Sequence, residues 1–155
     1  MRDYQLYING EFVESVSKHT IDSINPFDQT VVARVSRASL EDARRAVEAA
    51  RKAFDEGPWP LMSRQQRSAL LKAVSDKINE RQKELMELEV EDSGSTIRKA
   101  KEDIYLSARN MNYFSKLAAL DLMEPIQELS KPGFIQNFIV REPIGVVAAI
   151  IPWNF

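Results

Sequence analysis

The chain has no cysteine and a single histidine, His19. The first absence excludes disulfides, thiolate metal sites and a nucleophilic thiol among these residues. His19, with no partner residues pointing to a triad or a histidine-rich metal centre, reads as a surface residue. Glycine is scarce: the five at 10, 57, 94, 133 and 145 form no G-x-G-x-x-G or P-loop pattern, so nothing here cradles a pyrophosphate. Charge of one sign is lacking too. A net charge of -2 gives no electrostatic reason to expect nucleic acid or an anionic membrane as partner. The apolar runs are too short to span a bilayer. Met1-Arg2-Asp3-Tyr4-Gln5 is not followed by the long apolar stretch of a secretory signal, so a cytoplasmic location is the expectation.

What remains is ordinary soluble-protein composition, 44% apolar and 28% charged over 155 residues, enough for one domain with a core. Asn9-Gly10 between the β-prone flanks Leu6-Tyr7-Ile8 and Glu11-Phe12-Val13 predicts a hairpin. Ser23 to Gln29 reads as turn-rich around Asn25-Pro26, and Thr30 to Val35 as a short strand. Helices follow. Ser39-Leu40-Glu41-Asp42 resembles a capping box, and Ala43, Ala46, Val47, Ala50, Ala53 and Phe54 recur at helical spacing. Gly57, Pro58 and Pro60 break that helix. Ser63-Arg64-Gln65-Gln66 opens a long amphipathic helix with the stripe Leu70, Leu71, Val74, Ile78, Leu85 and Leu88, interrupted at Ser93-Gly94-Ser95. A third helix starts near Thr96 and runs through Phe114. The acidic run Glu84, Glu87, Glu89, Glu91 and Asp92 is scattered around a helix and reads as a solvated face. Phe134 to Arg141 has the composition of an edge or arm-like strand.

The last stretch is the most informative. Val146 to Ile151 is a continuous apolar run led in by Glu142-Pro143-Ile144-Gly145, the pattern of a strand buried on both faces of an α/β sheet. Ligands sit beyond the carboxyl ends of such strands, and here Pro152-Trp153-Asn154-Phe155 occupies that place. The Asn154 amide offers two donors without charge, which suits an oxyanion that develops during reaction. By position alone Asn154 also fits a turn residue or a helix N-cap. Trp59 and Trp153 read as packing residues.

The segment Glu142 to Phe155 resembles the signature strand of the aldehyde dehydrogenase superfamily. Tyr7-Ile8-Asn9-Gly10-Glu11 resembles the family's opening hairpin, and Ile24-Asn25-Pro26 with Val31-Val32-Ala33 its early turn and strand. Ala43 to Phe54, then Trp59, resemble its first helix and the following turn, and Glu91-Asp92-Ser93-Gly94 an acidic-Thr-Gly-Lys stretch. Ser93, Ser95 and Ala148-Ala149 depart from the family's usual residues in ways that leave its chemistry untouched. The resemblance implies an α/β fold: helices plus the first strand of a doubly wound cofactor domain, and part of a β oligomerisation layer. It implies residues 1–123 and 142–155 in the cofactor-binding domain and 124–141 as a β arm for assembly of a dimer or tetramer. It implies oxidation of an aldehyde to a carboxylic acid with NAD or NADP, through a thiohemiacetal and thioester on a Cys. Asn154 matches the oxyanion-holding residue, and Ile150, Ile151, Pro152 and Trp153, with Asn154, one wall of the nicotinamide site. Ser23, Ile24 and Asp103 match positions around a structural monovalent cation, for which carbonyls and one carboxylate are suitable hard ligands. The family's Cys nucleophile, Glu base and glycine-containing cofactor loop lie downstream of these residues, so the chain by itself is expected to be inactive. Two other readings accompany this one: half of a split enzyme needing a second chain, and a non-catalytic interaction module using the helix of Ser63 to Leu88.

Overall fold

The computed structural model describes residues 2–121, 123–126 and 137–152. The front of the chain is a small β layer, as the turn signals predict. Strands β2 (Leu6–Ile8) and β3 (Glu11–Val13) pair antiparallel around Asn9-Gly10, with Tyr7 opposite Phe12. Both turn residues have positive φ, 55° and 83°, as a two-residue hairpin of the I′ kind requires. A separate three-stranded sheet has the order β1-β5-β4. In it β5 (Val31–Ser36) runs antiparallel to β4 (Thr20–Ile24) and parallel to β1 (Arg2–Tyr4). Neither β1 nor β4 follows from periodicity, since each is made by its partner rather than by its own composition. The Asn25 side chain accepts the Phe27 N–H at 2.9 Å and shapes the turn between β4 and β5.

Helix α1 (Leu40–Glu56) opens with the capping box expected at Ser39 and Asp42. Asp42 does more than cap. Buried to 1% exposure, its carboxylate accepts the Ser39 N–H at 2.9 Å and the Ser39 and Ser15 hydroxyls at 2.8 Å each. The Val16 N–H adds a bond at 3.2 Å, so the loop after β3 is pinned to the start of the helix. The Ser39 N–H is the main influence holding the Asp42 carboxyl down, from 3.8 to about 2; burial opposes it, and the Ser39 and Ser15 hydroxyls and the Val16 N–H reinforce it.

After a 3₁₀ turn (Trp59–Leu61), Ser63 caps α2 (Arg64–Glu80) with a second capping box closed by Gln66. The single long helix expected from Ser63 to Ser93 is two helices. The ladder breaks at Arg81, at φ -95° and ψ 14°, and α3 (Gln82–Ser93) starts there without a side-chain cap. At the break the Arg81 guanidinium is held by Glu84 at 2.6 and 2.9 Å, an i,i+3 pair that supports the first turn of α3. Gly94 ends α3 in the left-handed conformation, φ 68°, its N–H donating to the Val90 carbonyl at 3.0 Å. Thr96 then caps α4 (Ile97–Ala118).

The helical core is built from small residues. Ala100, Ala108, Ser75 and Ser115 are buried where α4 meets α2 and α3, and the Ser75 hydroxyl donates to the Ala108 carbonyl at 2.8 Å. Many large apolar side chains stay open, among them Phe27, Leu61, Tyr105, Tyr113 and Phe114. A short antiparallel pair, β6 (Glu124–Ile126) with β7 (Asn137–Ile139), lies in the arm region. Of the strand expected from Phe134, residues 134–136 lie outside the described residues.

One expectation is corrected. Val146 to Ile151 forms no strand: residues 140–152 carry no regular secondary structure, and Val147, Ile150 and Ile151 are 70%, 87% and 74% exposed. A strand exists only through its neighbours' hydrogen bonds. No strand among the described residues lies beside this one.

Two outcomes follow. Because Asp42 titrates lower folded than unfolded, its stabilising effect is complete above about pH 4 and fades as pH falls toward about 2. Asp42→Asn should therefore lower urea midpoints near neutral pH, with the gap to wild type narrowing over that acid range. Gly94→Ala should cost about 1–2 kcal/mol from the left-handed backbone alone. Its Cβ would also stand 2.5 Å from Pro26 Cγ, so denaturant unfolding should show a loss at or above that range.

Candidate functional site

Asn154 and Trp153 lie outside the described residues, so the site is built from the segment that leads to them. Its first anchor is Arg141, whose guanidinium pairs with Glu124 at 2.6 Å and ties the segment to β6. Glu142, Pro143 and Gly145 then border a groove of about 810 Å³ whose other side is Phe54, Trp59, Pro60 and Arg67. The far wall is fixed from the backbone outward. Pro58 and Pro60 force the tight turn after α1, and Arg67 of α2 reaches back to the Met62 carbonyl at 2.7 Å.

Arg51 on α1 sets the height of the segment above that helix. It lies 4.5 Å over the Phe54 ring and is held by Asp55 one turn on, with Nε to Oδ2 at 2.8 Å. A Cβ on Gly145 would stand 3.0 Å from Arg51 Nη1. Gly145 has φ 111°, a conformation reserved for glycine, so the chain turns here in a way no other residue allows without strain. Ile144, 92% exposed, marks the outer side of this turn. Beyond it Ile150, Ile151 and Pro152 present an exposed, uncharged surface.

Electrostatics set limits on the chemistry. Each titration displaced among the described residues favours the charged form. Asp28 is held down by the Thr30 hydroxyl, Glu84 by Arg81, and Asp121 first by the Met123 N–H and then by Arg64; Arg2 and Arg81 are raised by Glu91 and Glu84. Such groups hold charge and structure. A proton-transfer group at neutral pH needs the opposite tuning. None of these groups borders the groove, whose carboxylate is Glu142; Ile150, Ile151 and Pro152 contribute an exposed apolar surface.

The three residues assigned to a cation are on two elements. Ser23 and Ile24 end β4, and Asp103 is in α4. The Ser23 hydroxyl donates to Asp92 of α3, while Asp103 accepts Lys99 Nζ at 2.6 Å. A cation at Asp103 would have to compete with that ammonium group. Among the described residues no cluster of three or more His, Cys, Asp or Glu side chains could hold a metal ion. Nor is any helix among them long and apolar enough to cross a membrane. Sequence reading found the uncharged segment before Asn154 but missed the approach of Arg51 to Gly145. The available signal was the glycine itself, placed between Ile144 and a β-branched pair.

A sequence profile described as "Aldehyde dehydrogenase family" matches residues 12–155. The mitochondrial aldehyde dehydrogenase family 2 member B4 of Arabidopsis thaliana is 41% identical over 154 residues, which cover 97% of this chain and 28% of that protein. Betaine aldehyde dehydrogenase of Bacillus subtilis is 37% identical, covering 97% of this chain and 30% of its own length. Among solved structures, the NAD-dependent aldehyde dehydrogenase of Sinorhizobium meliloti superposes with a TM-score of 0.78 at 36% identity, over 84% of this chain and 26% of that one. Betaine aldehyde dehydrogenase of Staphylococcus aureus, solved in complex with NAD+, gives 0.77 at 39% identity, over 81% and 25%. The chain thus spans about three tenths of the length of the relatives it matches.

Replacing Gly145 tests the turn before the site. Gly145→Ala should destabilise the protein by about 1–3 kcal/mol through backbone strain, read from denaturant midpoints. Full stability in that variant would show that the turn does not need glycine.

Proposed function

The chain belongs to the aldehyde dehydrogenase family, and from that premise we propose that it is the front portion of an NAD(P)-dependent enzyme that oxidises an aldehyde to a carboxylic acid. The observation that carries this reading is the reach of the family match, which runs through residue 155 and includes Pro152-Trp153-Asn154. The substrate class rests on the relatives, which are named for aldehydes, and the cofactor on those described as NAD-dependent or bound to NAD+.

In the proposed reaction a Cys supplied from beyond these residues adds to the aldehyde carbonyl, whose oxygen becomes an anion. Asn154 donates an amide N–H to that oxygen. An amide is suited to the task because it stabilises the charge as it forms without neutralising it beforehand by a proton. Bound nicotinamide supplies the acceptor for the hydride. Ile150, Ile151, Pro152 and Trp153 form one wall for that ring, and the exposed apolar surface of the first three fits a flat heterocycle that must be shielded from water. The chain's five glycines provide no pyrophosphate cradle, so the remainder of the cofactor is held by other residues. The thioester left on the Cys is then hydrolysed, and Asn154 again holds the oxyanion.

The division of labour proposed for the segments follows. Residues 1–123 and 142–155 belong to the cofactor-binding domain, and 124–141 to an arm joining subunits of a homo-oligomer. Ser23 and Ile24 carbonyls with Asp103 form a monovalent cation site once Lys99 releases Asp103. A second reading, a split enzyme completed by another chain, draws on the exposed Ile144, Val147, Ile150 and Ile151, which need a partner strand from somewhere. The two readings share the same chemistry.

Asn154→Ala in the complete enzyme should lower kcat by on the order of 10²–10³ with little change in KM. An unchanged kcat would remove Asn154 from the mechanism. The purified 155-residue chain, given NAD+ and propionaldehyde, should show no turnover, and sustained NADH formation would overturn its assignment as catalytically incomplete.

A further inference from the structure

Seven asparagines occur in the chain, and Asn9 alone is followed by glycine. The five others among the described residues sit where attack by the next backbone nitrogen is hindered. Asn25 precedes Pro26, which has no N–H; Asn79 is in α2, Asn110 and Asn112 are in α4, and Asn137 is in β7; Asn154 lies outside the described residues. Asn9-Gly10 sits at an exposed two-residue turn. The pair Ile8 and Glu11 closes the hairpin ladder, which leaves the Gly10 N–H outside it. A Cβ on Gly10 would meet nothing within 4 Å, so the backbone around its nitrogen is open to solvent. Asn9 also borders a groove of about 340 Å³ that it shares with Arg45 and Lys52 of α1. The two cations are matched there by Glu11 and Glu48, so the groove carries no excess of either charge.

We propose that Asn9-Gly10 is a site of spontaneous covalent modification in the folded protein, where Asn9 converts to aspartate and isoaspartate. The Gly10 nitrogen, deprotonated by hydroxide, attacks Asn9 Cγ. A C–N bond forms, the bond from Cγ to Nδ2 breaks, and Nδ2 takes up a proton and leaves as ammonia. Water then opens the five-membered imide. Opening at the side-chain carbonyl gives aspartate, and opening at the backbone carbonyl gives isoaspartate. No electrons change hands, and water is the only co-reactant.

The two products act differently on the hairpin. Aspartate tolerates the positive φ of position 9 and places a carboxylate beside Arg45 and Lys52. Isoaspartate lengthens the backbone by one methylene, so the two-residue turn no longer matches the strands. The register Ile8↔Glu11, Tyr7↔Phe12 and Leu6↔Val13 is then lost, together with the contact of the Tyr7 and Phe12 rings at 5.0 Å.

The test is incubation of the native protein at pH values from about 6.5 to about 8.5, followed by trypsin and mass spectrometry, with conversion rising about tenfold per pH unit. The peptide Asp3 to Lys18 holds Asn9 as its sole asparagine, so acid formed there is assigned without ambiguity. Both isomers should accumulate in it, while the peptides carrying Asn79, Asn110 and Asn112 stay intact. Asn9→Gly, which keeps the positive-φ turn, should abolish the product. Three results would overturn the proposal: Asn9 remaining intact, a rate independent of pH, or conversion more than about tenfold faster in denaturant, which would mean that folding protects the turn.

Discussion

The front of this molecule depends on one buried carboxylate. Asp42 closes the first turn of α1 and at the same time holds the loop that follows the β2–β3 hairpin, through Ser15 and Val16. A charge in that position is tolerable because two hydroxyls and two backbone N–H groups converge on Oδ2, while Oδ1 shares the Val16 N–H at 3.3 Å and faces Arg45 at 3.5 Å. Two elements that share little apolar surface are thereby set at a fixed angle. The direction in which α1 leaves the β layer follows from that clamp, and with it the placement of Arg51 further along the same helix.

Elsewhere the chain holds together by close approach. Alanine and serine at 75, 100, 108 and 115 let α2, α3 and α4 come near enough for a hydroxyl to reach a neighbouring helix's carbonyl. Packing of this kind gains dispersion over a large contact while burying little apolar area per residue. It leaves the large side chains free to face outward. The exposed i,i+4 pairs Arg51–Asp55 and Lys72–Asp76 add order to the helices and little net stability.

What sequence reading recovered was local. The Asn9-Gly10 hairpin, both serine capping boxes, the break at Gly57-Pro58 and the glycine stop at 94 depend on residues within one turn of each other. The break at Arg81 was missed because the apolar stripe of Leu70 to Leu88 continues across it; a stripe reports a face, not an unbroken ladder. Strands β1 and β4 were missed because their partners lie elsewhere in the chain. Val146 to Ile151 failed in the opposite direction: its composition suits a buried strand, and composition cannot supply the neighbours. In the site the apolar approach to Asn154 was legible, whereas the contact of Arg51 with Gly145, 94 positions apart, was not.

The pairing of β1 with β5 has a consequence for the order of assembly. β4 and β5 meet across a six-residue turn, a short loop to close. β1 must wait for β5, with the whole hairpin and β4 looped out between Tyr4 and Val31. Strand β1 is thus fastened late, and the tie of Arg2 to Glu91 can form only after α3 exists. Strand β1 is a latch, closed over a body that has already taken shape.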